Sequence, residues 1–95
     1  MTWWSLSDPA RFRVKDCDDD GAVVYDTIAG DTHVVDPLAM ELIHMLTESA
    51  PRTATALVAG VAPLFDGETG AAIAAAVDEG LAQLQRLELV IGSTG

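Results

Sequence analysis

Three aspartates and a glycine near the N-terminus, Asp16, Asp18, Asp20 and Gly21, have the residue types and spacing of a metal-binding loop. They follow the pattern D-x-D-x-D-G, which is the first half of an EF-hand calcium loop, but that loop also needs a flanking helix on each side and a bidentate glutamate at its twelfth position. Counted from Asp16, the twelfth position is Thr27, and both flanking segments have strand-like sequences. The sequence therefore favours a solvated hairpin turn, because aspartate tolerates turn conformations and repeated charge discourages pairing between strand edges.

The two histidines and the single cysteine offer little further chemistry. His33 falls in a strand pattern and His44 in a helical one, and neither has a nucleophile or a full set of metal ligands near it in sequence. Cys17 is the only cysteine, which excludes a disulfide framework and a thiolate metal cluster. The sequence also has no phosphate-binding glycine loop and no nucleophile elbow. We therefore expect a protein that is not an enzyme and that has no cofactor, metal site or catalytic residue.

Composition and charge narrow the choice of partners. The chain has 95 residues, 49% of them hydrophobic and only 5% aromatic, which suits one small domain with packed helices. Fifteen acidic and five basic residues give a net charge of -10, so phosphate backbones and anionic membrane surfaces are unfavourable partners. No apolar run approaches the roughly 18 residues of a membrane span, and the N-terminus lacks the pattern of a secretory signal. We expect a cytoplasmic protein that binds neither nucleic acid nor membranes.

The elements that must position any site form two groups along the chain. The first third predicts three short antiparallel strands, since Phe12 and Val14 alternate with cationic residues and the two following segments are rich in β-branched residues. A glycine-containing turn separates each strand from the next. The three segments are residues 10–16, 22–26 and 32–36.

The rest of the chain predicts three helices. Asp36 and Pro37 have the residue types of a helix N-cap and first helical position, and apolar residues follow at helical spacing. Thr53 is a second N-cap candidate, and the longest helix is predicted to run from about Thr69 to Leu87. The last nine residues predict a short extended piece.

Two features of this pattern have both a structural and a functional interpretation. Trp3 and Trp4 point in different directions, so one is expected to pack while the other is half-exposed or contacts a partner. Gly80 interrupts the longest helix at a cost of about 1 kcal/mol relative to alanine. It indicates either close packing against another element or room for a bound backbone.

The segment VVYDTIAGDTHVVDPLAMELIHML, residues 23–46, resembles the PqqD-like peptide chaperones, also called RiPP recognition elements. These proteins typically show a hydrophobic strand, a glycine-containing turn, another strand, then Asn or Asp and a leucine-rich helix. Residues 30–39 are most similar to the branch associated with an HPr-kinase-related protein, and the N-terminal tryptophans and residues 84–91 also fit that branch. The resemblance implies one α+β domain over residues 1–95, winged-helix-like, with a three-stranded antiparallel sheet followed by three helices.

The resemblance also implies a role in natural product biosynthesis. Such domains are non-catalytic: they bind the leader segment of a precursor peptide by strand addition and present it to a peptide-modifying enzyme. Transferred by position, the leader would pair with the third strand and lie against the third helix. The residues implied are Asp31, Thr32, His33, Val34 and Val35 on the strand and Ala74, Val77, Asp78, Leu81 and Gln85 on the helix. Where the family commonly ends the last helix with glycine, this chain has Glu88.

Two other functions remain open at this point. The chain could be a small structural subunit that docks permanently on an enzyme through its tryptophans and the same strand edge. A winged-helix nucleic-acid binder is opposed by the charge, because Arg86 is the only basic residue in the helix predicted over residues 69–87.

Overall fold

The computed structural model describes residues 1–8, 10–17, 21–65 and 67–94. Over these ranges the chain forms a small α+β domain with three helices, and the predicted fold class is confirmed. A short 3-10 turn, Ala62–Leu64, follows the second helix. The strands are β1 Thr2–Leu6, β2 Phe12–Asp16, β3 Ala22–Asp26, β4 Thr32–Val35, β5 Arg52–Thr53 and β6 Val90–Thr94, and the helices are α1 Pro37–Glu48, α2 Ala54–Val61 and α3 Gly70–Arg86.

The predicted three-stranded sheet is present, with antiparallel strands in the order β2-β3-β4. Val24 lies opposite Val14 on one side and His33 on the other. Because side chains alternate between the two faces of a strand, one face buries Ala22, Val24 and Val35 in the core while the other is turned away from it. β2 and β4 are the two edges of this sheet.

A second three-stranded sheet, in the order β5-β1-β6, was not expected from the sequence. It joins the N-terminal strand to the C-terminal one, with Trp3 opposite Ser93 and Trp4 opposite Gly92. Trp4 packs against the core, whereas Trp3 on the other face remains 39% exposed. The prediction of one packed and one half-exposed tryptophan is therefore confirmed.

The helices begin where their capping residues predict. Asp36 Oδ1 accepts a hydrogen bond from Ala39 N at 2.7 Å, and Pro37 is the first residue of α1. Thr53 and Thr69 cap α2 and α3 in the same way, through their hydroxyl oxygens. In the described part of the chain, no helix is both long and apolar enough to cross a membrane.

The helices pack against one another and against β1 and β6, and together with the inner face of the predicted sheet they enclose a single apolar core. Gly80 of α3 lies against Leu42 of α1, and a Cβ added at this glycine would stand 3.0 Å from Leu42 Cδ1. The close-packing interpretation of Gly80 is thus confirmed. The core comprises Ala22, Val24, Val35, Ala39, Leu42, Ile43, Leu46, Leu57, Val61, Ile73, Val77, Leu81, Leu84, Leu89 and Val90.

Candidate peptide-binding site

The free edge of β4 carries backbone groups that a peptide can pair with. Asp26 N donates to Asp31 O at 2.8 Å, so these two residues form a hydrogen-bonded pair at the start of the β3–β4 ladder. Such pairs alternate along an antiparallel ladder, which turns the N–H and C=O groups of His33 and Val35 toward β3. The N–H and C=O groups of Thr32 and Val34 consequently face outward.

The side chains of β4 divide between the two faces of the sheet. Val35 is fully buried and His33 is half-buried on the inner face, while Val34 is 71% exposed on the outer face. Thr32 is exposed, as is Asp31 just before the strand. The strand offers an outward-facing backbone and an uncharged surface, whereas Val35 contributes to the ladder with β3 and to the core.

A cleft of about 390 Å³ lies between the start of α1 and one flank of α3. Asp36 lines this cleft and follows β4 directly in the chain, so the cleft lies near the C-terminal end of β4. Its lining is largely polar. The lining residues are Asp36, Leu38, Ala76, Glu79, Gly80, Gln83 and Arg86.

The helix residues implied by position fall on more than one face of α3. Val77 and Leu81 are buried in the core, at 0% and 1% exposure, and therefore support α3 from within instead of lining an open groove. Gln85 lines a different depression, beside Arg11 and Ile28. Ala74 and Asp78 share that outer flank of α3 with Gln85, because they are spaced four and seven residues apart on the helix.

The flank that faces the cleft is instead formed by Ala76, Glu79, Gln83 and Arg86, which the sequence did not indicate. These residues are three and four positions apart and so follow one another along a single row of the helix. The apolar stripe of α3 identified its buried face, but which of the two flanks lies beside β4 depends on how the helix docks. An acidic side chain, Glu79, and a cation, Arg86, stand on this row about two turns apart, which gives the cleft opposite charges along its length.

The β3–β4 turn is held by a charged network around Asp26, the buried polar residue of the core region. Arg11 Nε lies 2.9 Å from Asp26 Oδ1, and an Arg11 Nη lies 2.6 Å from Asp26 Oδ2. Asp26 Oδ1 also accepts from the backbone N–H groups of Ile28 and Ala29, at 3.0 and 3.1 Å. The hydrogen bonds from Arg11 and then those from the backbone hold the pKa of Asp26 well below its ordinary value, against the opposing effect of burial. The same pair raises the pKa of Arg11.

Glu88 ends α3 in the geometry that usually calls for glycine. Its φ is 64°, in the left-handed region. Leu89 N donates to Leu84 O at 2.9 Å and Glu88 N donates to Gln85 O at 3.0 Å, the two bonds of a Schellman motif. Its carboxylate contacts Arg11 at 3.1 Å. The helix therefore ends as a glycine-terminated helix does, with a glutamate in the left-handed position.

His44 and the acidic turn are the remaining candidates for metal or acid–base chemistry. His44 is 41% exposed and its Nε2 lies 3.0 Å from Asp16 Oδ1. The described residues contain no group of three or more His, Cys, Asp and Glu placed to hold a metal ion. Asp18 and Asp20 lie outside the described residues, so the expected absence of a calcium site stays a prediction.

Comparisons with known proteins show a similarity in fold. No family model and no curated protein matches the chain. Among solved structures, the chain is similar to TbiB1 in complex with the TbiA(beta) leader peptide, with a TM-score of 0.74 and 16% sequence identity. The match covers 96% of this chain and 99% of that one. This protein thus shares its whole fold with a protein whose structure holds a leader peptide.

Proposed function

We propose that this protein binds the leader segment of a precursor peptide by strand addition at β4 and presents it to a peptide-modifying enzyme. The observation that carries the proposal is the outward-facing backbone of Thr32 and Val34, at an uncharged edge whose C-terminal end is followed by Asp36 of the α3 cleft. The fold shared with a leader-peptide complex supports it. Strand addition needs an unpaired edge for affinity and adjacent side chains for selectivity, and this region offers both.

The cleft suggests how a leader would be selected. A strand added beside β4 would place alternate side chains on the inner face, toward the row of α3 that carries Glu79, Gln83 and Arg86. A leader with a cation near Glu79 and a carboxylate near Arg86 would match this row. A leader of reversed charge order would meet like charges at both ends.

The test is titration of a labelled leader peptide, encoded by a neighbouring precursor gene, into the protein and two proline variants. Val34→Pro removes an outward donor from the edge, so we expect about tenfold weaker binding with the fold retained. His33→Pro removes a donor within the β3–β4 ladder, so we expect it to lower the free energy of unfolding by about 3 kcal/mol. Circular dichroism and urea unfolding separate these two effects.

A matched pair of alanines tests the helix side of the site. Ala76 lines the cleft and Ala74 lies on the opposite flank of α3, and both are half-buried. We expect Ala76→Trp to block leader binding and Ala74→Trp to leave it within about threefold of the parent, since only the first tryptophan would occupy the cleft. Equal affinity in the parent, Val34→Pro and Ala76→Trp proteins would show that the leader does not bind at β4.

A further inference from the structure

The opposite edge of the same sheet has its own unpaired backbone. Thr27 N donates to Arg11 O at 2.9 Å and Cys17 N donates to Gly21 O at 2.8 Å, which brackets the β2–β3 ladder between two hydrogen-bonded pairs. The alternation turns the backbone groups of Arg13 and Lys15 toward β3 and those of Phe12, Val14 and Asp16 outward. Within the described residues, no hydrogen bond reaches these outward groups.

An apolar cavity of about 280 Å³ lies beside this edge. The side chains of Phe12 and Val14, whose backbone groups face outward, form its β2 wall, and Ile43 of α1 closes it from the other side. Asp8, His44 and Thr47 are its polar lining residues. The volume accommodates one leucine-sized side chain, and the lining leaves such a side chain little hydrogen bonding to satisfy.

The acidic side chains near the cavity are on its side of β2, whereas the cations Arg13 and Lys15 alternate onto the opposite face of this strand. Asp8 lines the cavity, and Asp16 lies at the end of β2, hydrogen-bonded to His44 of α1 at 3.0 Å. A cationic segment would be attracted here and an anionic one repelled.

We propose that the β2 edge and this cavity, here called the β2 site, dock an extended basic segment of a partner protein. The segment would pair with the outward groups of Phe12, Val14 and Asp16 and insert one leucine-sized side chain between β2 and α1. Its cationic residues would lie beside Asp8 and Asp16. The proposal concerns residues that the leader site at β4 does not use.

The geometry favours a partner protein over the leader itself as the occupant. Strands in a sheet are about 4.8 Å apart, so strands added at β2 and at β4 would be separated by four spacings, roughly 19 Å. A leader strand paired with β4 therefore leaves the β2 site free. Both edges can be occupied at once, by two different chains.

The probe is a capped heptapeptide, Thr-Lys-Thr-Leu-Thr-Lys-Thr, in which both lysines share the face of the leucine. The control is the same peptide with glutamate for lysine. Fluorescence anisotropy with the full chain measures both affinities. We expect the lysine peptide to bind at least about tenfold more tightly than the glutamate peptide, with an advantage that decreases as salt is added.

Three variants locate the binding on the molecule. Val14→Pro removes an outward donor at the β2 edge, and Thr47→Trp fills the cavity from α1 and leaves the residues of β2 unchanged. Each variant should bind the lysine peptide about tenfold more weakly. Val34→Pro, at the β4 edge, should leave its affinity unchanged. If Val14→Pro does not fold, Thr47→Trp against Val34→Pro decides the outcome.

Three results would overturn the proposal. Equal affinity for the two peptides in all folded variants would mean that no such site exists. Loss of binding in Val34→Pro alone would assign the lysine peptide to the leader edge. Concentration-dependent dimerisation that Thr47→Trp abolishes in sedimentation would make a second copy of this chain the occupant.

Discussion

The two edge strands of the sheet β2-β3-β4 differ in charge and in the surface that lies beside them. β4 reads THVV and carries no charge, whereas three of the five residues of β2, FRVKD, are charged. Charged edge strands resist indiscriminate pairing, and an uncharged edge does not. β4 faces a polar cleft with charges of both signs, while β2 faces an apolar cavity in an acidic setting. The comparison teaches that one sheet can offer two unpaired backbone edges that differ in charge and in the surface beside them.

The largest change, in both stability and the β4 edge, is expected at Gly21, which lies just before β3 and beside the end of β4. Its φ is 98°, and an added Cβ would collide with Val35 O, a backbone atom that cannot move aside without shifting the end of β4. We expect Gly21→Ala to lower the free energy of unfolding by about 3 kcal/mol and to displace the end of β4. Urea unfolding measures the loss. Leader binding at β4 should be weakened more than lysine-peptide binding at the β2 site.

Gly30 provides the matched control for this substitution. It also has a positive φ, 77°, but an added Cβ would meet nothing within 4 Å. Gly30→Ala should therefore lose only the strain of a left-handed alanine, about 1 kcal/mol. An equal loss in the two variants would contradict the role of the Val35 contact.

The Asp26 network is common to both edges, since it joins the start of β2 to the β3–β4 turn. Its low pKa means that the folded protein takes up this proton less readily than the unfolded chain, whose Asp has the ordinary value of 3.8. The stability from this ionised group is accordingly full above about pH 4 and is lost as the pH falls further, through the folded-state pKa. We expect Asp26→Asn to lower the free energy of unfolding at pH 7 and to lower it progressively less below pH 4.

Urea unfolding of the parent and the variant between pH 2.5 and 7 measures this difference. Asp31→Asn is the control, because Asp31 is exposed at the same turn. A pH-independent difference between the parent and Asp26→Asn would show that packing, and not the ion pair, accounts for the effect.

Local signals predicted much of this fold. Asp36 and Pro37 marked the start of α1, Thr69 marked that of α3, and the period-2 pattern around Phe12 gave the first strand of the sheet. Each of these signals acts over a few residues of chain, which is why the sequence displays them directly. Glu88 gave no such signal, since glutamate is uncommon in a left-handed helix terminus.

Non-local packing accounts for what the sequence did not reveal. β1 pairs with β6 across nearly the whole chain, and neither Trp3 nor Val90 carries any mark of that pairing. The periodicity of α3 identified Val77 and Leu81 but not whether they would be buried or line a groove. Which flank of α3 faces the cleft is not visible in the sequence either, because the rotation of a helix against its neighbours is set by the assembled core.

The smallest change in stability is expected at Glu88, where a substitution should leave peptide binding at both edges of the sheet unchanged. Glu88→Gly removes the left-handed strain, about 1 kcal/mol, and loses an exposed ion pair with Arg11 worth less than about 1 kcal/mol. We expect the free energy of unfolding to rise by a few tenths of a kcal/mol.

Glu88→Ala loses the ion pair and keeps the strain, so it should be less stable than the glycine variant by about 1 kcal/mol. Because backbone hydrogen bonds end α3 in both variants, leader binding at β4 and lysine-peptide binding at the β2 site should be unchanged. Equal stability of the alanine and glycine variants would mean that the left-handed conformation is not what distinguishes this position.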